Sequence, residues 1–164
     1  MPNKCIECNA ALEANQMECV YCGTIQQNFD ERLLTDLMAI KRKYELAYAR
    51  GNQLIIESLL ADEYAYNLTD CGEMEKPVGK NDILKNAEFD KNFISYNIAN
   101  EELLEKTADR AVISCVQTIV RRTPQSEYDP YIFRTKLLFV RREGRWQIAS
   151  ENCVLIDENG DEIL

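Results

Sequence analysis

The chain has 164 residues, 46% hydrophobic and 29% charged, with 28 acidic against 19 basic side chains and a formal net charge of −9. This length allows one ordinary domain plus a small appendage, the composition is too apolar for a disordered chain, and the acidic balance argues against nucleic acid as the main partner. Histidine is absent, which removes the commonest general base and any Ser-His or Cys-His nucleophile pair.

The chain begins with Cys5-Ile6-Glu7-Cys8, a ten-residue gap, and Cys19-Val20-Tyr21-Cys22-Gly23. Each Cys-x-x-Cys places two thiolates on one tight turn, and two such turns facing each other offer Zn²⁺ a tetrahedron of sulfurs. Asn9 and Gly23 follow the second cysteine of each pair, where positive φ is needed, and are residue types that reach it cheaply. The spacing resembles the zinc-ribbon family over residues 3 to 24. Two reducible disulfides and a rubredoxin-like iron site are the competing readings; the gap is short for the second. Four cysteine ligands leave no open coordination position, so the expected Zn²⁺, held by Cys5, Cys8, Cys19 and Cys22, is structural. Lys4 is opposed by Glu7, Glu13 and Glu18, so the module is suited to a protein partner rather than to nucleic acid. The remaining cysteines, Cys71, Cys115 and Cys153, are scattered, which fits a reducing, cytoplasmic compartment better than a disulfide framework.

Asn28-Phe29-Asp30-Glu31 reads as a helix start with a capping box. Leu33, Leu37, Ile40, Tyr44 and Ala47 then recur at helical spacing, and Gly51 stops the helix. Asn52 is expected to cap a second, shorter helix through Leu60. Tyr64 to Leu68 alternates like a strand, Cys71-Gly72 and Pro77 mark a loop, and Asn81 is expected to cap a short third helix. From Ile94 onward the pattern is β: Ala111 to Val120 is apolar on both faces, Tyr131 to Val140 alternates, and Glu143-Gly144 is a hairpin turn before Trp146 and Ile148. No stretch approaches the roughly 20 apolar residues of a membrane helix, and no apolar run marks a signal peptide. Helices first and antiparallel strands after predict an α+β fold, with a sheet that curves around helices packed on one face and leaves a concavity between them.

Three segments, 47–52 (Ala-Tyr-Ala-Arg-Gly-Asn), 59–64 (Leu-Leu-Ala-Asp-Glu-Tyr) and 79–84 (Gly-Lys-Asn-Asp-Ile-Leu), together with the closing hairpin 142–148 (Arg-Glu-Gly-Arg-Trp-Gln-Ile), resemble nuclear-transport-factor-2-like domains. The branch most similar includes the SnoaL-like and ketosteroid-isomerase-like proteins. The resemblance spans roughly residues 30 to 156. It implies a cone-shaped curved antiparallel sheet with about three helices, an internal pocket and frequent homodimers. The expected division is therefore a zinc ribbon over 1–27 and a nuclear-transport-factor-2-like domain over 28–164. Many relatives carry histidines after the Trp-x-Ile pattern; here that stretch offers Ala149, Ser150, Glu151 and Asn152.

By strand period, Trp146, Ile148, Ser150 and Asn152 share a face. The expected ligand-pocket residues are Ser150 and Asn152 on the last strand, Tyr64 and Tyr66 on the first, and Tyr96. A segment rich in bases, Arg121 to Arg145, reads as a solvated sheet face paired with neighbouring acids. The functional expectation is a non-catalytic binding or assembly protein, with the ribbon docking a protein partner and the cone dimerising or holding a small apolar ligand. The alternative is a small isomerase or dehydratase using a buried carboxylate, with Asp62 or Asp70 as base and Tyr66 or Tyr96 as oxyanion donor. Acid–base work near neutral pH would need such a carboxylate deep in the cone with its pKa raised by desolvation.

Overall fold

The computed structural model describes residues 3–5, 7–13, 16, 18–24, 29–126 and 128–163. The cysteine segment forms two short strands, β1 (Asn3–Lys4) and β2 (Ala11–Leu12), paired antiparallel. Its core is small: Cys5, Leu12 and Cys19 are buried together with Ala10 packed against them.

Helix α1 (Phe29–Ala49) follows. The expected cap at Asn28 lies outside the described residues. The apolar stripe faces inward as its spacing requires: Leu37, Tyr44 and Ala47 are buried, and Leu33 and Ile40 pack against the core. Gly51 ends the segment with φ +66°, and a Cβ there would stand 2.9 Å from the backbone of Glu88 and Phe89, so both conformation and space demand glycine. Helix α2 (Gln53–Leu59) starts as expected: the Asn52 side chain accepts a hydrogen bond from the Ile55 backbone N–H at 3.2 Å. Strand β3 (Leu60–Asp70) continues directly from it, followed by the short strands β4 (Glu73–Met74) and β5 (Val78–Gly79).

Helix α3 (Lys80–Asn86) corrects one expectation. It begins before Asn81, with Gly79 at the cap position and no side-chain cap bond. Gly79 is still paired to Ala65 of β3, so the chain turns from strand into helix one residue too early for Asn81 to cap. Lys80 anchors the turn by donating to the Leu60 carbonyl at 3.0 Å and to Asp62 at 3.1 Å.

Four long strands complete the chain: β6 (Phe93–Lys106), β7 (Arg110–Arg121), β8 (Asp129–Arg142) and β9 (Arg145–Ile156). The β8–β9 turn is Glu143-Gly144, both at positive φ, the backbone that a two-residue hairpin favours. Strand order is β4-β3-β9-β8-β7-β6, with β5 on β3. The sheet is mixed, not antiparallel throughout: β3 and β9 run parallel. Period-2 patterning specifies faces and says nothing about which distant strands become neighbours. Helix α1 lies across the sheet, touching β6 and β9, and the core between them is built from Leu37, Met38, Ile56, Leu60, Ile113, Leu137, Phe139 and Ile148, each at most 0% exposed.

Strand β9 carries a β-bulge. Ile148 pairs with Phe139 and Ser150 with Leu138, leaving Ala149 as an extra residue. An extra residue reverses the alternation. Ile148 faces the core, and beyond the bulge Glu151 and Cys153 are the buried residues while Asn152 is exposed.

Candidate functional site

The concave face of the sheet and α1 enclose a cavity of about 410 Å³. Tyr44, Glu45, Tyr48 and Ala49 reach it from α1, Tyr66, Leu68 and Asp70 from β3, Gln117, Ile119 and Arg121 from β7, Tyr131 and Phe133 from β8, and Glu151, Cys153 and Leu155 from β9; Phe93 and Ile83 complete the lining. The wall is mostly aromatic and aliphatic, and two of its polar members, Glu45 and Glu151, form its floor together with the buried Lys41.

The floor is an ionic cluster. Lys41 is fully buried, and its ammonium donates to Glu151 Oε2 at 2.5 Å and to Glu45 Oε1. Tyr64 donates its hydroxyl to Glu151 Oε1 at 2.8 Å, and the Tyr44 ring lies 4.9 Å from the Lys41 ammonium. Burial pushes the Lys41 pKa down, but Glu151 and Glu45 together outweigh it and hold the ammonium well above its usual range. Burial pushes the Glu45 carboxyl up; Lys41 opposes that shift and Glu151 adds to it. Helix geometry places Lys41 and Glu45 one turn apart on one face, and the β9 bulge brings Glu151 to meet them.

A second polar chain runs along the same face. Tyr96 donates to Gln117 Oε1 at 2.7 Å, Gln117 Nε2 donates to Thr135 Oγ1 at 2.5 Å, and Thr135 Oγ1 lies 3.3 Å from Cys153 Sγ. Burial pushes the thiols of Cys115 and Cys153 up to about 12, so neither ionises near neutrality.

The five expected pocket residues divide. Tyr66 lines the cavity; Tyr64 and Tyr96 stand behind it, each bonded to a polar group that does line it. Ser150 and Asn152 are not at the cavity, because the Ala149 bulge turns them to the opposite face, where Asn152 accepts from Asn67 at 3.0 Å. Among the acids weighed as a base, Asp62 is exposed and paired to Lys80, and Asp70 lines the cavity. Sequence reading missed Lys41, Glu45, Gln117 and Glu151. One signal was present: Lys41 falls between Leu37 and Tyr44 on the apolar stripe of α1, four residues before Glu45. Glu151 gave none, since strict alternation puts it outside. Two of the basic residues sit on a solvated face beside acids, as expected, Arg142 with Glu63 and Arg134 with Glu162 at 3.4 Å, whereas Arg121 lines the cavity and pairs with Asp90 at 2.6 Å.

In the N-terminal segment the sulfurs of Cys5, Cys8, Cys19 and Cys22 all lie within 4.8 Å of one another and could hold a metal ion. Two of their separations are 3.5 Å (Cys5–Cys22) and 3.6 Å (Cys8–Cys19). Asn9 and Gly23 adopt positive φ, +58° and +70°, and their backbone N–H groups close the turns onto the Cys5 and Cys19 carbonyls at 3.0 and 2.7 Å. The backbone amide of Cys8 draws the Cys5 thiol down to about 6.

No protein-family model matches this sequence, and no curated protein matches it. Solved structures share its fold. An NTF2-like protein from Cytophaga hutchinsonii is 17% identical, with a TM-score of 0.60, covering 74% of this chain and 97% of its own. The association domain of C. elegans CaMKII is 9% identical, with a TM-score of 0.61, covering 77% and 98%. A ketosteroid isomerase-like protein from Erwinia carotovora atroseptica is 16% identical, with a TM-score of 0.58, covering 76% and 96%. At these identities the likeness concerns the fold: an α+β architecture of three helices on a curved mixed sheet, the NTF2-like cone.

Proposed function

We propose that this chain is a non-catalytic binding and assembly protein of a reducing, cytoplasmic compartment. In this reading residues 28–164 form a cone that holds a small, mostly apolar ligand and self-associates. Residues 1–27 form a zinc ribbon that docks a protein partner. The observation that carries the ligand reading is the cavity of about 410 Å³, with mostly aromatic and aliphatic walls and a few polar side chains among them, the usual division of labour in a small-molecule site.

Catalysis is the second reading, and Glu45 is the observation that favours it: a carboxyl in the cavity lining with its pKa raised by burial. Binding is preferred because the groups an isomerase would need are engaged with one another. The Tyr64 hydroxyl is held by Glu151, that of Tyr96 by Gln117, and the Glu45 carboxylate by Lys41.

Three probes of one shape test the ligand reading on the full chain by calorimetric titration at pH 8: 4-phenylbutylamine, 4-phenylbutanol and 4-phenylbutyrate. Saturable binding of at least one supports it, and no binding by any of them ends it. For the metal, a tetrahedral ZnS₄ site with Zn–S of about 2.3 Å has S···S edges of about 3.8 Å, close to the sulfur separations here. For self-association, the sheet face away from the cavity carries half-buried Val116, Val120, Leu138 and Val154, which a second copy could cover with two-fold symmetry, and three of the structural neighbours are named association domains. Light scattering on residues 28–164 at micromolar concentration should give twice the monomer mass; a strict monomer rules it out.

A further inference from the structure

The charges around the cavity do not balance. Lys41 supplies one positive charge to two carboxylates, Glu45 and Glu151, and is fully buried between them. Glu151 is satisfied at both oxygens, by Lys41 and by Tyr64. Glu45 is not. Lys41 takes its Oε1, and among the described residues no donor reaches its Oε2, although its side chain is only 15% exposed and belongs to the cavity lining. Asp70 adds a further carboxylate to the lining; among the described residues Arg121 is the one cation there, it stands 2.6 Å from Asp90, and its pull on Glu45 is weaker than that of Lys41.

We infer that the cone selects a monocationic ligand, an alkyl or arylalkyl amine whose ammonium group pairs with the open oxygen of Glu45 while its apolar body lies among the aromatic walls. This rests on the ligand-binding reading above and specifies its chemistry. A neutral ligand leaves the open Glu45 oxygen without a partner in a poorly solvated site, which is costly. An anion adds Coulomb repulsion to that cost. A single ammonium gives that oxygen a charge-assisted hydrogen bond and offsets its charge. The walls favour the same choice: Tyr44, Tyr48, Tyr66, Tyr131, Phe93 and Phe133 surround the space, and ring faces attract cations.

The three probes named above separate this inference from the reading it rests on. At pH 8 and moderate salt, 4-phenylbutylamine should bind the full chain at least tenfold more tightly than 4-phenylbutanol, with 4-phenylbutyrate weakest. Glu45→Gln keeps the shape and removes the carboxylate with which the ammonium would pair. It should weaken the amine tenfold or more and leave the alcohol unchanged within twofold. Alcohol binding as tightly as the amine overturns the inference but leaves the cone a ligand site; so does butyrate binding best, which would transfer the role to Arg121. Equal losses for amine and alcohol in Glu45→Gln also overturn it, and no binding by any probe overturns both readings. The ranking on the unaltered protein needs no variant, so the test survives if Glu45→Gln folds poorly.

Discussion

Lys41 is the residue on which the cone's interior electrostatics turn. It is fully buried and holds Glu45 and Glu151 at once. Removing one partner of a buried ion pair leaves uncompensated charge and typically costs about 3–5 kcal/mol. Lys41→Met should therefore lower unfolding stability by about that much in urea titrations, whereas an exposed pair such as Arg134–Glu162 should contribute under about 1 kcal/mol. A loss below about 1 kcal/mol for Lys41→Met would mean that the two carboxylates are neutral or hydrated. Glu45 adds a pH dependence whose sign follows from its shift. Its folded pKa lies above the ordinary carboxylate value of 4.5, so between those two values the folded chain binds more protons than the unfolded one. Its contribution to stability therefore grows as pH falls through the folded pKa toward 4.5 and is absent above it. The melting temperature of the ligand-free protein relative to Glu45→Gln should rise on acidification across that window; a constant difference would contradict the shift.

At the scale of elements, the bulge in β9 decides which chemistry faces the cavity. It turns Glu151 and Cys153 inward and Ser150 and Asn152 outward. Thiol labelling under native conditions reads this directly. Cys71 is exposed, whereas Cys115 and Cys153 are buried with pKa values of about 12. Among these three, Cys71 should be modified first, and the other two should await unfolding. A cysteine introduced by Asn152→Cys should label quickly while its neighbour Cys153 stays protected, with peptide mass spectrometry assigning each site. Rapid modification of Cys153 would place that stretch of strand the other way round. The helical elements are less dependent on distant partners: the Asn52 cap and the left-handed Gly51 are local devices, and they are where local chemistry places them.

At the scale of the whole molecule, the described residues form two cores, a small one around Cys5, Leu12 and Cys19 and a large one between α1 and the sheet. A core as small as the first cannot stabilise a fold alone, so in the zinc-ribbon reading metal binding supplies most of its folding free energy, on the order of 10 kcal/mol. Metal analysis of protein purified without added metal should give one zinc per chain. Cys8→Ser, or a strong chelator, should unfold the cysteine segment and leave the main melting transition nearly unchanged. Iron, or paired disulfides in place of metal, would overturn the zinc assignment, and a large shift of the main transition would overturn the independence of the two units.

The sequence alone determined the features that arise within a few residues of one another. These are the cysteine pairs with Asn9 and Gly23 at positive φ, the α1 stripe, the Asn52 cap, the Glu143-Gly144 turn and the alternation of β8. Each depends on local sterics or on a short period, and both are legible without a partner. Tertiary structure decided the rest. The parallel pairing of β3 with β9, the bulge at Ala149 and the meeting of Lys41 with Glu151, 110 residues away, are outcomes of packing the whole sheet around α1. A lysine on an apolar stripe and a glutamate on an alternating strand look solvent-facing one at a time. They are buried because each supplies the charge the other needs, and that reciprocity exists only once the cone has closed.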